Sequence, residues 1–571
     1  MTDSLHESAE RQTGLKVISS MDSVKICVFL VFVLAVILRF YHLGENPPAV
    51  YGDEAALGYN GYCLLKTGKD EYGEVFPLVF KSYNDFKSPL YFYLTIPFIA
   101  LFDLNPVSVR LPSAIAGVLT VFIVYFLAKE LVTQDKNYSP SAVHYLPLLA
   151  ALLLTVSPWH LHVSRGAFEA NLCLFFFVLG TWLFLKRGKV SKIFSIFSFA
   201  FSLYAYHAAK GVVPLFLPLL VFYKSDFRLK KTASLLPYFG LFLILIFPLV
   251  YYSFLGIGEK RFLQTSIFSI PNIDVKIEAE RTLSKTSHYL IRNLFHNKPL
   301  FLTRKFFENY LRAFSLDFLY LYGESNLRLM VGSRGEFYLW QFPLFLIGLY
   351  FLFARKLKSR TLLALWLLLA PLPSAVTSQT YVLRSVLLLP PMILITALGL
   401  AWFLSLKLTR FKLFIVRCLL FVVALFSFVS YLHQYHFEYP NYAADWWGMD
   451  NLLTIKYAKE REREFDQIIL PETGSMAETF AFYTKFEPRK FQKEETRNVE
   501  FLDSVFSKKL GKFYFGGLTL DLKGKERVEE ALPANTLLIT LPEAYPDFPA
   551  RTSINNPFDN RILFKVYEKI D

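Results

Sequence analysis

The sequence predicts an α-helical polytopic membrane protein of about eleven spans, with a soluble α/β domain at its C-terminal end. Three observations predict it. The 571 residues are 54% hydrophobic and 17% aromatic, with 59 phenylalanines, and the apolar residues gather into runs separated by charged loops, the composition of a multi-spanning chain. Much of the net charge of +14 sits in short loops beside those runs, where orientation in the bilayer accounts for it, and no nucleic-acid signal stands out. From residue 434 onward the apolar runs give way to a soluble composition. Three of the four cysteines, Cys27, Cys173 and Cys418, fall inside apolar runs, which argues against a disulfide framework or a metal knuckle.

Residues 1–23 are polar and near neutral and are expected to form a cytoplasmic N-terminal segment. The run 24–38 leads into Arg39-Phe40-Tyr41-His42, an aromatic, interface-like edge in place of a small-residue cleavage site, so it reads as a retained first span. The loop 43–106 follows. Within it, 89–102 is apolar but contains Pro97 and is shorter than the roughly 20 residues a crossing needs, so an interfacial or re-entrant helix is expected there. Spans at 107–131, 143–160 and 170–185 then leave Lys186, Arg187, Lys189 and Lys192 on the cytoplasmic side, as the positive-inside rule requires.

Residues 193–223 hold two short apolar arms around Ala208-Ala209-Lys210-Gly211. A hairpin keeps the basic clusters at 186–192 and 224–231 on one face. Its first arm would rise about 22 Å through a core of roughly 30 Å, leaving Lys210 in a dip below the outer surface. Further spans are expected at 235–254, 336–353, 361–376, 382–404 and 413–431, with the long loop 255–335 and the domain 434–571 outside the cytoplasm. In that domain, strand-like runs at 467–470, 512–515, 536–541 and 562–567 alternate with helix-like stretches at 451–463, 476–485 and 525–531. It shows no glycine-rich phosphate loop, metal-ligand spacing or nucleophile elbow, so a binding or structural role is expected of it.

The chemistry centres on Val50-Tyr51-Gly52-Asp53-Glu54-Ala55, two adjacent carboxylates just past the first span. By itself such a pair is equally well a solvated loop acid. Glu169 stands at the entry to another apolar span, where an acid must be paired or line a wet cavity; Arg165 is a ready partner. His160 and His162 fit ordinary hydrogen bonds better than a metal. Lys210, recessed between half-length arms, calls for an anion more than for snorkelling. Arg384, in Gln379-Thr380-Tyr381-Val382-Leu383-Arg384, and Lys87 add outer-face cations. Acids for a hydroxyl and cations for a phosphate at one membrane face describe group transfer from a lipid phosphate.

The segments Gly52-Asp53-Glu54, Lys87-Ser88-Pro89-Leu90-Tyr91-Phe92-Tyr93, Val109-Arg110-Leu111-Pro112-Ser113-Ala114, Ser157-Pro158-Trp159, Ser164-Arg165, Glu169 and Lys210-Gly211 occur in an order that resembles the family-39 membrane glycosyltransferases. That family belongs to the C-type glycosyltransferase superfamily, with protein O-mannosyltransferases and the lipid A aminoarabinose transferase as relatives. The resemblance covers nearly the whole chain. It implies a polyprenyl-phosphate-linked sugar as donor and transfer to a protein, lipid or envelope-glycan acceptor on the extracytoplasmic face. It also implies that Asp53, the acidic residue of the first external loop, is the essential catalytic residue and the base, with Glu54 beside it, that Glu169 is the second acidic site residue, and that Lys210 binds phosphate. Arg384 and Lys87 would assist Lys210, with Arg165, Tyr381 and His162 in support, in an inverting single displacement. Ser88 replaces a proline common in relatives, which weakens the carry-over to Lys87. A divalent cation, Mg2+ or Mn2+, stays open, with Asp53 and Glu169 as candidate ligands; Glu169 stands where many relatives carry Asp. A transporter of lipid or polysaccharide would share the spans and intramembrane charges, but no convincing internal repeat is present; a non-catalytic scaffold would make Asp53 replaceable. The absence of a retention signal at the C-terminus favours a bacterial inner membrane.

Overall fold

The computed structural model describes residues 24–570 apart from 83–84, 136, 139, 226–232, 255–264, 285–287, 378–380, 407–409, 494–495 and 503. The segment 1–23, read as cytoplasmic, lies outside the described residues.

Helices occupy every stretch read as a span. They are α1 (24–40), then α2 (Gly52–Thr67) and α3 (Leu90–Phe102) in the first loop, with α4 (Pro106–Thr133), α5 (Pro140–Thr155), α6 (Pro158–Arg165), α7 (Glu169–Leu185), α8 (Lys189–Ala205), α9 (Ala208–Ser225) and α10 (Leu236–Phe254) after it. The long loop carries α11 (Ile273–Leu283), α12 (Tyr289–Phe295) and α13 (Lys298–Arg312), and the bundle closes with α14 (Gln341–Ala354), α15 (Arg360–Leu369), α16 (Leu389–Leu404) and α17 (Arg410–His433). Local signals set the starts. Asn105 and Ser108 form a capping box ahead of Pro106, and Ser157 accepts the His160 N–H ahead of Pro158, both favourable first-turn chemistries.

Length does not establish eleven crossings. Pro106–Thr133, Ala208–Ser225, Val386–Leu404 and Phe414–Tyr442 are long and apolar enough to cross alone, and Tyr145–Thr155 with Pro158–Arg165 qualifies as a pair bent by 56°. The other apolar helices have 10–17 residues, and at 1.5 Å per residue a helix of about 14 residues rises only about 21 Å. The two arms expected at 193–223 are α8 and α9, of 17 and 18 residues, interrupted at Tyr206 and His207.

α14 and α16 pack backbone to backbone. A Cβ added to Gly348 would lie 1.9 Å from the Ile395 carbonyl oxygen, and one added to Gly399 would lie 1.9 Å from that of Leu344. Gly399→Ala is therefore expected to force the helices apart and cost about 1–3 kcal/mol, read as a lower melting temperature of the purified protein; an unchanged melting temperature would contradict this packing.

The C-terminal domain is a seven-stranded mixed sheet. Its strands are β3 (Gln467–Leu470), β4 (Arg497–Phe501), β5 (Ser504–Leu510), β6 (Phe513–Phe515), β7 (Thr536–Thr540), β8 (Thr552–Asn555) and β9 (Ile562–Lys569), following the hairpin β1 (Phe80–Ser82) and β2 (Asp85–Lys87) of the first loop. The order is β4-β5-β6-β3-β7-β9-β8, with β3 parallel to both β6 and β7. Helices α18 (Met449–Glu460) and α19 (Met476–Thr484) complete it. The stretch 525–531 is not an α-helix but holds a short 3-10 turn, Val528–Ala531, which Pro533 cannot continue.

The sheet domain packs directly on α2 and on the turn that follows it. Arg497 donates to the Glu71 carbonyl at 3.2 Å, and Gln492 donates to the Asp70 carbonyl at 2.7 Å. Burial, with the charge of Glu478 beside it, holds the Glu71 carboxyl well above the usual carboxylate range; Asn60 and Lys508 oppose the shift and Asp70 adds to it. Lys508 is itself pushed down to about 8, chiefly by burial. A raised carboxyl binds more protons folded than unfolded, so its contribution to stability falls as pH rises above its ordinary value of 4.5. Glu71→Gln is expected to raise the melting temperature at neutral pH and to flatten its decline from acidic pH upward. Identical slopes for the two proteins would contradict this.

Candidate active site

α2 starts at Gly52, directly after the extended residue Tyr51, and puts Asp53 and Glu54 in the first turn, where the helix dipole favours anions. Neighbours on a helix point about 100° apart, and the two carboxylates have different surroundings. Asp53 stays 53% exposed, whereas Glu54 is 1% exposed.

Glu54 is enclosed by donors. Arg110, one turn into α4, reaches it with Nε at 3.0 Å and Nη2 at 2.8 Å, and the Ala167 N–H donates to it at 2.7 Å. The same guanidinium donates to the carbonyls of Leu43 (3.0 Å), Pro47 (2.9 Å) and Ala49 (2.5 Å). One arginine thus fixes the chain on the way into α2 and the carboxylate in its first turn.

Asp53 meets Lys87, whose Nζ lies 2.5 Å from its Oδ1 and which is 3% exposed. Lys87 ends β2 and also lines a cleft with Lys210, His207, Leu78, Val79, Phe86, Leu249 and Tyr252. Lys210, in the first turn of α9, has Nζ 3.2 Å from His207 Nδ1, and the other ring nitrogen donates to the Phe86 carbonyl at 3.1 Å. The first-loop hairpin and the break between α8 and α9 are therefore tied together, with two ammonium groups on one apolar-walled cleft.

Tyr51 gathers the remaining charges. Burial pushes its hydroxyl well up, the charges of Asp53, Glu54 and Glu169 push it further, and Arg328 opposes them. Glu169 begins α7 and is half-buried. Arg384 ends the helical turn Tyr381–Arg384, which packs on α7; Gln379, Thr380 and the Tyr381 side chain lie outside the described residues. Arg165, offered above as a partner for Glu169, instead donates to the carbonyls of Leu38 (2.8 Å), Tyr41 (2.7 Å) and Asn46 (2.8 Å) and to the Tyr435 hydroxyl (3.1 Å). His160 is paired with Arg39 at 2.7 Å, and His162 donates to the Arg328 carbonyl at 2.8 Å. Among the described residues no three of His, Cys, Asp and Glu gather where they could hold a metal ion. Glu54 is held by Arg110 and Asp53 by Lys87.

The sheet domain completes the site, which the sequence did not reveal. A Cβ on Gly52 would lie 2.0 Å from Ser475 Oγ, the Val50 N–H donates to the Tyr483 hydroxyl at 3.0 Å, and the Tyr59 hydroxyl donates to the Phe486 carbonyl at 3.0 Å. Trp447 sets its ring edge-on to Tyr51 at 5.2 Å. Arg110 also went unrecognised as a site residue, although a charge one turn into an apolar helix is itself a signal for a buried partner.

Residues 29–262, which include every one of these membrane-side groups up to Lys210, match the family model described as dolichyl-phosphate-mannose-protein mannosyltransferase. This segment is a domain of that family. The chain is accordingly a glycosyltransferase, as the resemblance implied. No curated protein matches the sequence. Among solved structures, ArnT from Cupriavidus metallidurans in the apo state is similar with a TM-score of 0.53 at 12% identity, over 96% of this chain and 98% of that one. The same protein bound to undecaprenyl phosphate gives 0.50 at 11% identity, over 94% and 97%. The fold of the helical bundle with its sheet domain is thus shared along nearly the whole length with ArnT.

Removing Arg110 would leave Glu54 buried and unpaired, which costs about 3–5 kcal/mol. Arg110→Ala is expected to lose most folded protein on size-exclusion chromatography in detergent. A variant that elutes and melts like the wild type would contradict the anchoring role.

Proposed function

We propose that the protein transfers a sugar from a polyprenyl-phosphate-linked donor to a hydroxyl of a protein, lipid or envelope-glycan acceptor. It does so at the plasma membrane, with the site and the sheet domain on the extracytoplasmic side. The observation that carries this reading is the position of Lys87, which is ion-paired with Asp53 and shares with Lys210 a cleft walled by Leu249, Tyr252 and Val79. A base, a phosphate site and an apolar wall for a lipid chain are contiguous there.

In the reaction, the acceptor oxygen forms a bond to the anomeric carbon as its proton passes to the Asp53 carboxylate. The bond from that carbon to the phosphate oxygen breaks, and its electron pair stays on the polyprenyl phosphate. Lys87 and Lys210, with Arg384 contributed by the turn packed on α7, stabilise the charge that grows on the leaving phosphate. Attack opposite the leaving group inverts the anomeric configuration. Glu54 acts through Arg110 as the support of Asp53, and Glu169 shapes the acceptor side near Tyr51. ArnT has been solved with undecaprenyl phosphate, and the reading extends a lipid of that kind to this chain.

Losing the base is worth about 10²–10⁴-fold in rate. Mass spectrometry of polyprenyl-phosphate lipids tests this in host cells lacking the protein, complemented with the wild type or with Asp53→Asn. One sugar-phosphate lipid is expected to accumulate in the deletion strain and with Asp53→Asn, and to disappear with the wild type. If Asp53→Asn restores the lipids as well as the wild type does, the catalytic assignment falls.

A further inference from the structure

Three arginines near the site are committed to protein groups. Arg110 serves Glu54 and three carbonyls, Arg165 serves carbonyls of 38–46 and Tyr435, and Arg39 serves His160 and two carbonyls. Arg328 is different. Its backbone is fixed, since its N–H donates to Asn326 Oδ1 at 3.0 Å, its carbonyl accepts from His162 at 2.8 Å, and the preceding carbonyl of Leu327 accepts from the Tyr439 hydroxyl at 2.5 Å. Its guanidinium, half-buried, makes no hydrogen bond or ion pair among the described residues, and its Nε is buried without a partner. It lies over the Tyr51 ring at 5.2 Å. The Tyr51 hydroxyl, on a residue only 7% exposed, also lacks a hydrogen bond among the described residues, and it sits two residues from Asp53.

A guanidinium on a fixed backbone, with its Nε buried and unpartnered, beside a hydroxyl that makes no hydrogen bond among the described residues, is a site suited to an oxyanion. Leaving the buried Nε unpaired is costly unless a ligand satisfies it. The donor phosphate has its own cations: Tyr51, Arg328 and Trp447 do not line the cleft of Lys87 and Lys210, and Arg328 comes from the long loop rather than from the first-loop hairpin or α9.

Resting on the glycosyl-transfer reading above, we propose that Arg328 and Tyr51 bind an anionic group of the acceptor, a phosphate or carboxylate close to the attacking hydroxyl. They would thereby select acceptors that carry such a group. The bidentate fork of Arg328 and the Tyr51 hydroxyl would orient that group so that the adjacent hydroxyl faces Asp53.

Two measurements on the full-length protein test this. In the first, purified protein is labelled with phenylglyoxal and modified arginines are located by peptide mass spectrometry. Arg328 is expected to react while Arg110 and Arg165 do not, and inorganic phosphate or acetate should slow its labelling about tenfold when saturating. Failure of Arg328 to react, or of both anions to protect it, overturns the anion site. In the second, binding of undecaprenyl phosphate is measured for the wild type, Arg328→Gln and Lys210→Gln, alongside lipid accumulation in complemented cells. Arg328→Gln is expected to bind undecaprenyl phosphate within about twofold of the wild type, while Lys210→Gln weakens it about tenfold. In cells Arg328→Gln should accumulate the sugar lipid as Asp53→Asn does, with partial recovery in Arg328→Lys. Equal weakening of undecaprenyl phosphate binding by Arg328→Gln and Lys210→Gln would assign Arg328 to the donor and overturn the proposal. So would full complementation by Arg328→Gln in a background where Asp53→Asn fails. If Asp53→Asn itself complements, it is the glycosyl-transfer reading that fails.

Discussion

Glu54 and Arg110 place a negative and a positive charge where neither touches water, an arrangement that holds only if every remaining donor and lone pair finds a partner. The structure meets that condition by drawing in the surrounding backbone. The Ala167 N–H caps the carboxylate, and the carbonyls of Leu43, Pro47 and Ala49 cap the guanidinium. The consequence reaches beyond the pair. The chain entering α2, the first turn of α4 and the turn ahead of α7 are fixed to one another, so the exposed neighbour, Asp53, projects from a rigid frame. Adjacent carboxylates that look equivalent in sequence thus differ in setting: Glu54 is buried in its ion pair with Arg110, whereas Asp53 is half exposed and paired with Lys87.

The frame has a second wall. Gly52 lies so close to Ser475 that a side chain there has no room, and Tyr483 takes the Val50 N–H just before the helix. A glycine at this position reflects close approach rather than an unusual backbone angle. The helix that carries Asp53 is therefore clamped between the bundle and the sheet domain. A domain without catalytic motifs of its own acts here as part of the site's scaffold, holding the acid against displacement toward solvent.

Much of this was legible in the sequence where charge meets apolar surroundings. Asp53, Lys87 and Lys210 stood out as polar residues beside apolar runs, and the structure brings Lys87 onto Asp53 and onto the cleft with Lys210. The strands β3, β6, β7 and β9 were visible as apolar runs, and all four have neighbours on both sides. β4, β5 and β8 were not: β4 and β8 are edge strands, and β5 alternates buried with exposed residues, so their polar positions read as loop. Arg110 obeyed the rule that singled out Glu169 and could have been found by it. Arg328 could not. Nothing local to residues 321–340 announces that the loop folds back onto Tyr51; that contact depends on His162 and Tyr439, each more than a hundred positions away in sequence. The number of crossings is also beyond what helix length decides, because several apolar helices stop short of the bilayer's thickness.

The central claim is that the cleft beside Asp53 receives the lipid phosphate. The most direct measurement is a cryo-electron microscopy structure of the full-length protein in lipid nanodiscs with undecaprenyl phosphate. The account predicts the phosphate within hydrogen-bond distance of Lys87 and Lys210, with the prenyl chain running along Leu249 and Tyr252 and the Asp53 carboxylate facing the position of the anomeric carbon. A phosphate seated elsewhere, with Lys87 still closed on Asp53 and the cleft unchanged, would contradict it.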